Sequence, residues 1–385
     1  MKPTVAVDVR PYFASLPDPR IERTKRHEVL DIVTIALCAV ICGADNWVEI
    51  ARFGRTKEAW LRSFLALPNG IPCHDTFGRV FAKLDPEAFE RCFLAWVQAV
   101  VGAPGAQVVA VDGKTLRRSH DRANGKGPLH LVSAWATANH LVLGQVATEA
   151  KSNEITAIPV LLAALDLTGA TVTIDAMGCQ TAIAKQIIDQ DADYVLALKD
   201  NQGTLASAVR DSFALARATG FADLAATDHA AWRTVDKSHG RFEIRQYWTI
   251  SDPAILAYLN PTGAWVGLRS IGMVESERRV GDKVSVEARY YLSSQAGVAT
   301  AAAFAEAVRG HWGIENELHW VLDIAFREDE SRARVGHSAH NLAVVRHIAL
   351  NLLRQERTAR CGVKAKRLLA GWDESYLRKV LTAEV

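Results

Sequence analysis

Residues Val108 to Lys114 read VVAVDGK, and the rest of the chain is organised around them. The run from Gln107 to Val111 is apolar and β-branched, the pattern of a strand buried on both faces. It ends at Asp112, where the strand leaves the core and a charge needs a partner. Asp-Gly is also a common turn pair, so an ordinary turn aspartate stays open on this stretch alone.

A second stretch has the same construction. Thr171 to Gly178 reads TVTIDAMG: an apolar run, then Asp175, then small residues and a helix over about 179–191. Another apolar run, Tyr194 to Leu198, follows. Strand, helix, strand implies a parallel sheet. Two strands of one sheet, each ending in an aspartate, suggest paired carboxylates that hold a divalent metal, and Mg²⁺ favours such oxygens.

The chain has 385 residues, enough for two or three domains. Its 49% hydrophobic and 23% charged content is that of an ordinary globular protein. A net charge of +2 says little about partners, but residues 331–385 hold eleven Lys and Arg against four Asp and Glu. A basic tail of this kind favours a polyanion or forms a solvated helical face. Six scattered cysteines with no CxxC pair read as reduced thiols of a cytoplasmic protein. Asp8 and Arg10 interrupt any signal-peptide core. The longest apolar run, Ile32 to Ala44, is too short to span a bilayer, which argues against a membrane partner.

In chain order, residues 1–101 read as an all-α unit. Prolines 11, 17 and 19 keep the entry extended, and buried and amphipathic helices follow, with Asp75 as an N-cap and Pro86 starting the last helix. Helix-turn-helix DNA binding is open for this unit. GAPGAQ (Gly102 to Gln107) is the clearest linker. Residues 107–330 read as three strands, helix, strand, helix, strand, which is the layout of a ribonuclease H-like α/β core with a mixed sheet. A β-rich insertion is expected at about 219–298, with HGR at 239–241 and GDK at 281–283 as turns. Its tryptophans 232, 248 and 265 read as packing residues, with base stacking by one of them, Trp248, as the minority reading. Residues 331–385 form a basic helical C-terminal region, in which His337, His340 and His347 read as surface residues.

A third acid comes from a helix over 301–326. Phe304, Val308, Leu318 and Leu322 recur at helical spacing, and Glu315 lies two turns after Val308, on the same inward stripe. A buried acid there needs a cation. Glu317, Asp323 and Glu328 lack so clear a placement.

VDGK, TIDAMGCQ, LALKDNQ and RGHWGIENELHW, in this order and with a β-rich segment before the last, resemble a DDE-type insertion-sequence transposase. The subgroup is that of the H-repeat-associated proteins. DPR (Asp18 to Arg20) and GIPCHDTFGRVF (Gly70 to Phe81) resemble its N-terminal region. The resemblance covers about residues 10–355. It implies metal-dependent phosphodiester hydrolysis and strand transfer at the ends of a mobile element, with Asp112, Asp175 and Glu315 as catalytic residues. These acids would hold two Mg²⁺ ions, for which Mn²⁺ substitutes. Implied partners are double-stranded DNA with terminal inverted repeats, target DNA and a second copy of the chain on DNA, in a bacterial cytoplasm and at the nucleoid when DNA is bound. Lys114, Arg117, Arg118, Ser119, His120, Lys199, Trp248, His311, Lys364, Lys366 and Arg367 are the candidate DNA contacts. The chain departs from the broader superfamily at His311 and Leu322, where an arginine and a lysine are expected, which leaves open whether a hairpin intermediate forms. Cys73 stands where a serine is expected, with no evident consequence.

Two other readings are weighed. His311, Glu315 and His319, spaced i, i+4, i+8, present one metal-binding helix face of a hydrolase unrelated to DNA, but this leaves both strand-end aspartates unused. A transposase-derived regulator that binds DNA without cutting it is the alternative of a different class.

Overall fold

The computed structural model describes residues 8–102, 105–121, 124–148, 153–238, 241–295 and 300–382. Nine strands form one mixed sheet: β1 (Val108–Leu116), β2 (Leu129–Ala136), β3 (Leu141–Ala147), β4 (Thr171–Ile174), β5 (Asp193–Leu198), β6 (His229–Ser238), β7 (Arg241–Ile250), β8 (Ser270–Val280) and β9 (Lys283–Ser293). Their spatial order is β3-β2-β1-β4-β5-β9-β8-β7-β6. β1, β4 and β5 are parallel neighbours. β2 and β3 extend the sheet on one side as an antiparallel meander. Helices Glu154–Ala163 and Thr181–Asp189 make the crossovers to β4 and β5, so the expected order of strands and helices is present.

The structure corrects several expectations. β1 does not end at Val111. It continues through Asp112 and Gly113 to Leu116, paired with β2 throughout, so Asp-Gly is strand and not turn. The β-rich segment expected as an insertion continues the core sheet, because β9 pairs antiparallel with β5 and carries β8, β7 and β6 into it. Trp265, itself buried, precedes β8 in a loop held by both ends of the Asn260 amide. Gly281 does turn β8 into β9, with a φ of +57° that suits glycine. The turn expected at HGR involves residues 239–240, which lie outside the described residues, as does Arg122.

The N-terminal helices include Val29–Ile41, Trp47–Thr56, His74–Lys83 and Pro86–Val101. Eleven of the thirteen residues of Val29–Ile41 are buried. Pro11 lies inside a short helix, Arg10–Phe13, and not in extended chain. Cys73, not Asp75, is the N-cap of His74–Lys83. Its thiol lies 3.3 Å from the Thr76 hydroxyl, so the residue standing for serine occupies the position where a hydroxyl caps best.

The C-terminal region is not a solvated tail. Helix Ser338–Gln355 is buried over sixteen of its eighteen residues and packs against helices Val29–Ile41, His74–Lys83 and Pro86–Val101 and against β3. Asn351 at its far end donates to and accepts from the Val142 backbone, both at 2.8 Å. The side chain thus satisfies an edge of β3 as a neighbouring strand would. His340 and His347 are interior, 9% and 2% exposed, and His340 pairs with Glu90 at 2.5 Å. Residues from all three sequence segments share one hydrophobic core.

Candidate active site

β1 and β4 run parallel, and their last paired residues are Val111 and Ile174. The next residue on each is an aspartate, so Asp112 and Asp175 stand side by side at the carboxyl end of β4. By strand alternation Asp112 shares a face with Val108 and Ala110, and Asp175 shares a face with Thr173. Helix Thr300–Gly313 packs on β1, β4 and β5. It comes close because Gly310 has no side chain: a Cβ there would lie 3.1 Å from Val108. On the same helix His311 Nδ1 lies 3.1 Å from the Thr173 hydroxyl.

Glu315 comes just beyond, in a wider π-helical segment, Ile314–His319, before Trp320–Phe326 resumes the α-helix. Such segments recur at functional sites. The expected inward placement of Glu315 does not hold. Ile314, Leu318 and Leu322 are buried, whereas Glu315 is exposed. The helical count does put Glu315 on the face of Val308, since Val308, His311 and Trp312 line one cleft with it; that face opens to solvent at Glu315 and is not covered. The cleft, of about 600 Å³, is lined by Asp112 and Asp175 as well. Glu317 is engaged elsewhere, hydrogen-bonded to His140 and near Arg354. Lys199, Arg210 and Arg289 bring positive charge to the cleft walls, and Arg289 stacks on Trp312 with its guanidinium 5.0 Å from the ring centre.

Asp112 is 19% exposed. Burial pushes its carboxyl up to about 7; the Gly113 backbone N–H opposes this, and Glu154, Asp175 and Glu315 add to the rise. Glu154 was not a candidate from sequence. Helix Glu154–Ala163 starts with it, after the Asn153 cap, and its carboxylate bonds His130 Nε2 at 2.7 Å. Both side chains lie against Gly113: a Cβ there would fall 2.1 Å from Glu154 Oε1 and 2.5 Å from His130 Nε2.

An all-carboxylate donor set, with proton affinity raised at Asp112, suits a hard divalent cation. The fit is one of donor chemistry. Among the described residues no three His, Cys, Asp or Glu side chains are gathered closely enough to hold a metal ion, so the acids line the cleft without closing a cage. This also removes the His311, Glu315, His319 alternative as a preformed metal site.

Several candidate DNA contacts turn out to hold the protein together. The Lys114 ammonium lies beneath the site, 2.5 Å from Asp323 and 3.0 Å from Glu328. Burial pulls it down, but these carboxylates outweigh that and leave it raised. Burial opposes the charge of Glu328 too, yet Lys114 and Arg346 hold that carboxylate down at about 2. Ser119 is buried, donating to Leu116 O and accepting from Leu129 N, both at 2.7 Å. Trp248 lies under the Arg217 guanidinium at 4.9 Å, which occupies a face expected to be open for a base. Lys366 donates to Leu353 O at 2.8 Å. Arg367 donates to Val40 O and Asp45 and stacks on Phe326. Lys366 and Arg367 are 7% and 4% exposed, and their charge is spent on carbonyl groups at helix ends, where cations are favoured. Arg117, Arg118, Lys199 and Lys364 remain exposed, and Arg117 pairs with Asp329 at 3.1 Å. His120 is half-buried against Arg117 O. His311 is half-buried, with burial lowering its basicity and Asp175 opposing. Leu322 faces the core, so the position where the superfamily carries a lysine does not reach the cleft.

With this geometry in place, comparison with known proteins decides the family. Residues 103–352 match the transposase DDE domain, and residues 11–97 match the domain described as associated with it. The chain belongs to the DDE transposase family. It is 39% identical over 374 residues to "H repeat-associated putative transposase YhhI" of Escherichia coli K12, covering 96% of each chain. It is 41% identical over 375 residues to "Putative transposase YncI" of Escherichia coli O157:H7, covering 97% of this chain and 94% of that protein. A short relative from strain K12 named "Inactive transposase YbfQ" is 40% identical over 72 residues, 19% of this chain and 86% of that protein. Among solved structures, a synaptic complex of piggyBac transposase with hairpin DNA aligns over 98% of this chain and 78% of that chain at 10% identity and a TM-score of 0.38, too distant to inform the site. Membership of the DDE family implies use of divalent metal in general. Among the described residues, no helix is long and apolar enough to cross a membrane.

Proposed function

We propose that this chain is a transposase that cleaves DNA at the terminal inverted repeats of an insertion sequence and joins the freed 3′ ends to target DNA. One observation carries the reading: Asp112 and Asp175 on neighbouring parallel strands, and Glu315 on the helix crossing them, line a single cleft whose walls carry Lys199, Arg210 and Arg289. Support for a ribonuclease H-like core comes from the half-sheet β3-β2-β1-β4-β5, with β2 reversed and helices between the parallel strands.

Asp112, Asp175 and Glu315 are the residues that would hold Mg²⁺, two ions in all, with Mn²⁺ as a substitute. Such ions, when bound, supply Lewis acidity to a phosphodiester. The residues themselves do the rest. Desolvation of Asp112 makes its negative charge costly, and so raises the gain from a bound cation. Lys199 and Arg210 are exposed at the cleft and draw in the phosphate backbone, a salt-sensitive contribution. Arg289 and Trp312 form a flat wall beside Glu315. Arg117, Arg118 and Lys364 are surface cations available to flanking duplex, and a second copy of the chain would serve the second DNA end.

The test is cleavage of a plasmid carrying paired terminal repeats, with Mg²⁺ or Mn²⁺, by the full chain and by Asp175→Asn and Glu315→Gln. Metal-dependent nicks at the repeat ends, lost in both variants while repeat binding persists, are expected. Binding without cleavage by the unaltered chain would favour the regulator reading.

A further inference from the structure

The proposed acids leave one neighbour unexplained. His319 closes the π-helical segment that begins beside Glu315, and its Nδ1 lies 3.5 Å from Asp112 Oδ2. Its side chain is 13% exposed. Its Nε2 is enclosed and meets no hydrogen-bond partner among the described residues. The segment is anchored from below, because the Lys114 ammonium reaches both the His319 carbonyl, at 3.4 Å, and Asp323. β1 is thus tied to the segment twice, through Asp112 and through Lys114, two residues apart on one strand face.

We propose that His319 is a positioning residue for Asp112, donating its Nδ1–H to Oδ2 so that the other carboxylate oxygen is turned toward the cleft. The inference rests on the reading of the cleft as a divalent-cation site. Chemistry selects the tautomer. With the proton on Nε2, a bare Nδ1 lone pair would face a carboxylate, and a buried N–H would lack an acceptor. With the proton on Nδ1, the carboxylate has a donor and only an acceptor is left unmet. The 3.5 Å separation exceeds an ordinary N–H···O⁻ bond, and contacts of this kind tighten when the complete complex assembles. A donor at this place acts as the groups behind metal ligands do, fixing ligand orientation, and their loss costs about 10- to 100-fold in metal affinity or activity.

The experiment measures Mn²⁺ affinity of the full chain by titration calorimetry without DNA, alongside the Mn²⁺ concentration for half-maximal plasmid cleavage. His319→Asn keeps an amide donor near the Nδ1 position. His319→Leu removes the donor while staying apolar, and His319→Gln moves the amide out to the Nε2 position should the leucine variant not fold. Expected is at least a tenfold loss of Mn²⁺ affinity in the leucine or glutamine variant and a matching rise in the Mn²⁺ needed for cleavage, with His319→Asn within about threefold of the unaltered chain. Equal affinity in all variants overturns the proposal, as does an asparagine variant no better than glutamine. Asp175→Asn separates the two layers: if it too leaves Mn²⁺ affinity unchanged, the cation-site reading itself fails, and not merely the role of His319.

Discussion

Replacing Asp112 with asparagine should stabilise the metal-free protein while abolishing its reaction. The folded carboxyl is held at about 7 against an ordinary value of 3.8. Between those values the folded state binds a proton that the unfolded chain has lost, so stability at this group falls as pH rises through the window. The penalty is complete above about pH 7. A gap of roughly three pH units, at about 1.4 kcal/mol each, sets a ceiling of about 4 kcal/mol. Rearrangement of neighbouring acids and water reduces that, so about 2 kcal/mol at pH 8 is expected. Asparagine is nearly isosteric, still accepts from the Gly113 N–H and carries no charge. Urea unfolding in EDTA at pH 5 and pH 8 measures the effect: the variant should gain less than half as much at pH 5 as at pH 8, and lose most of the stabilisation that Mn²⁺ confers on the unaltered chain. A variant less stable than the parent at both pH values, by the same amount, would refute the claim that Asp112 is charged at a cost.

Further outcomes are expected. Glu315→Gln should lower cleavage by about a hundredfold or more, whereas Glu317→Gln, which touches only the His140 and Arg354 contacts, should keep it within a few-fold; the reverse result would move the third acid. Gly113→Ala would place its methyl group 2.1 Å from Glu154 Oε1, costing about 1–3 kcal/mol in urea unfolding; unchanged stability would mean that the Glu154–His130 pair does not sit on that backbone. Lys364→Ala should weaken duplex binding and reduce its salt slope with repeat preference intact. Arg367→Ala should instead destabilise by about 3–5 kcal/mol, since it strips the buried partner from Val40 O and Asp45; a stable Arg367→Ala chain with impaired DNA binding would return this arginine to the surface. A chain beginning near Ala103 should fail to fold, because helix Ser338–Gln355 loses the N-terminal helices it packs against; a soluble product with a cooperative melt would show that the N-terminal segment is separable.

Local patterns in the chain determined a good deal by themselves. β-branched runs before Asp112 and Asp175 give parallel strands, because such residues fit a sheet covered on both faces. The helical spacing of the first hundred residues gives helices for the same kind of short-range reason. Tertiary pairing decided the rest. Nothing near VVAVDGK distinguishes a strand that stops at Asp112 from one that runs on, because β2 supplies the missing hydrogen bonds from beyond the intervening loop. Glu315 lies on the helical face that its spacing from Val308 gives, but only the packing of helix Thr300–Gly313 on β1, β4 and β5 shows that this face opens on the cleft of Asp112 and Asp175. Lys366 and Arg367 look like solvent cations in a basic stretch, yet carbonyl groups of Leu353 and Val40 draw them inward. Charge in a sequence tells how much desolvation would cost; only the fold shows which partners offset it.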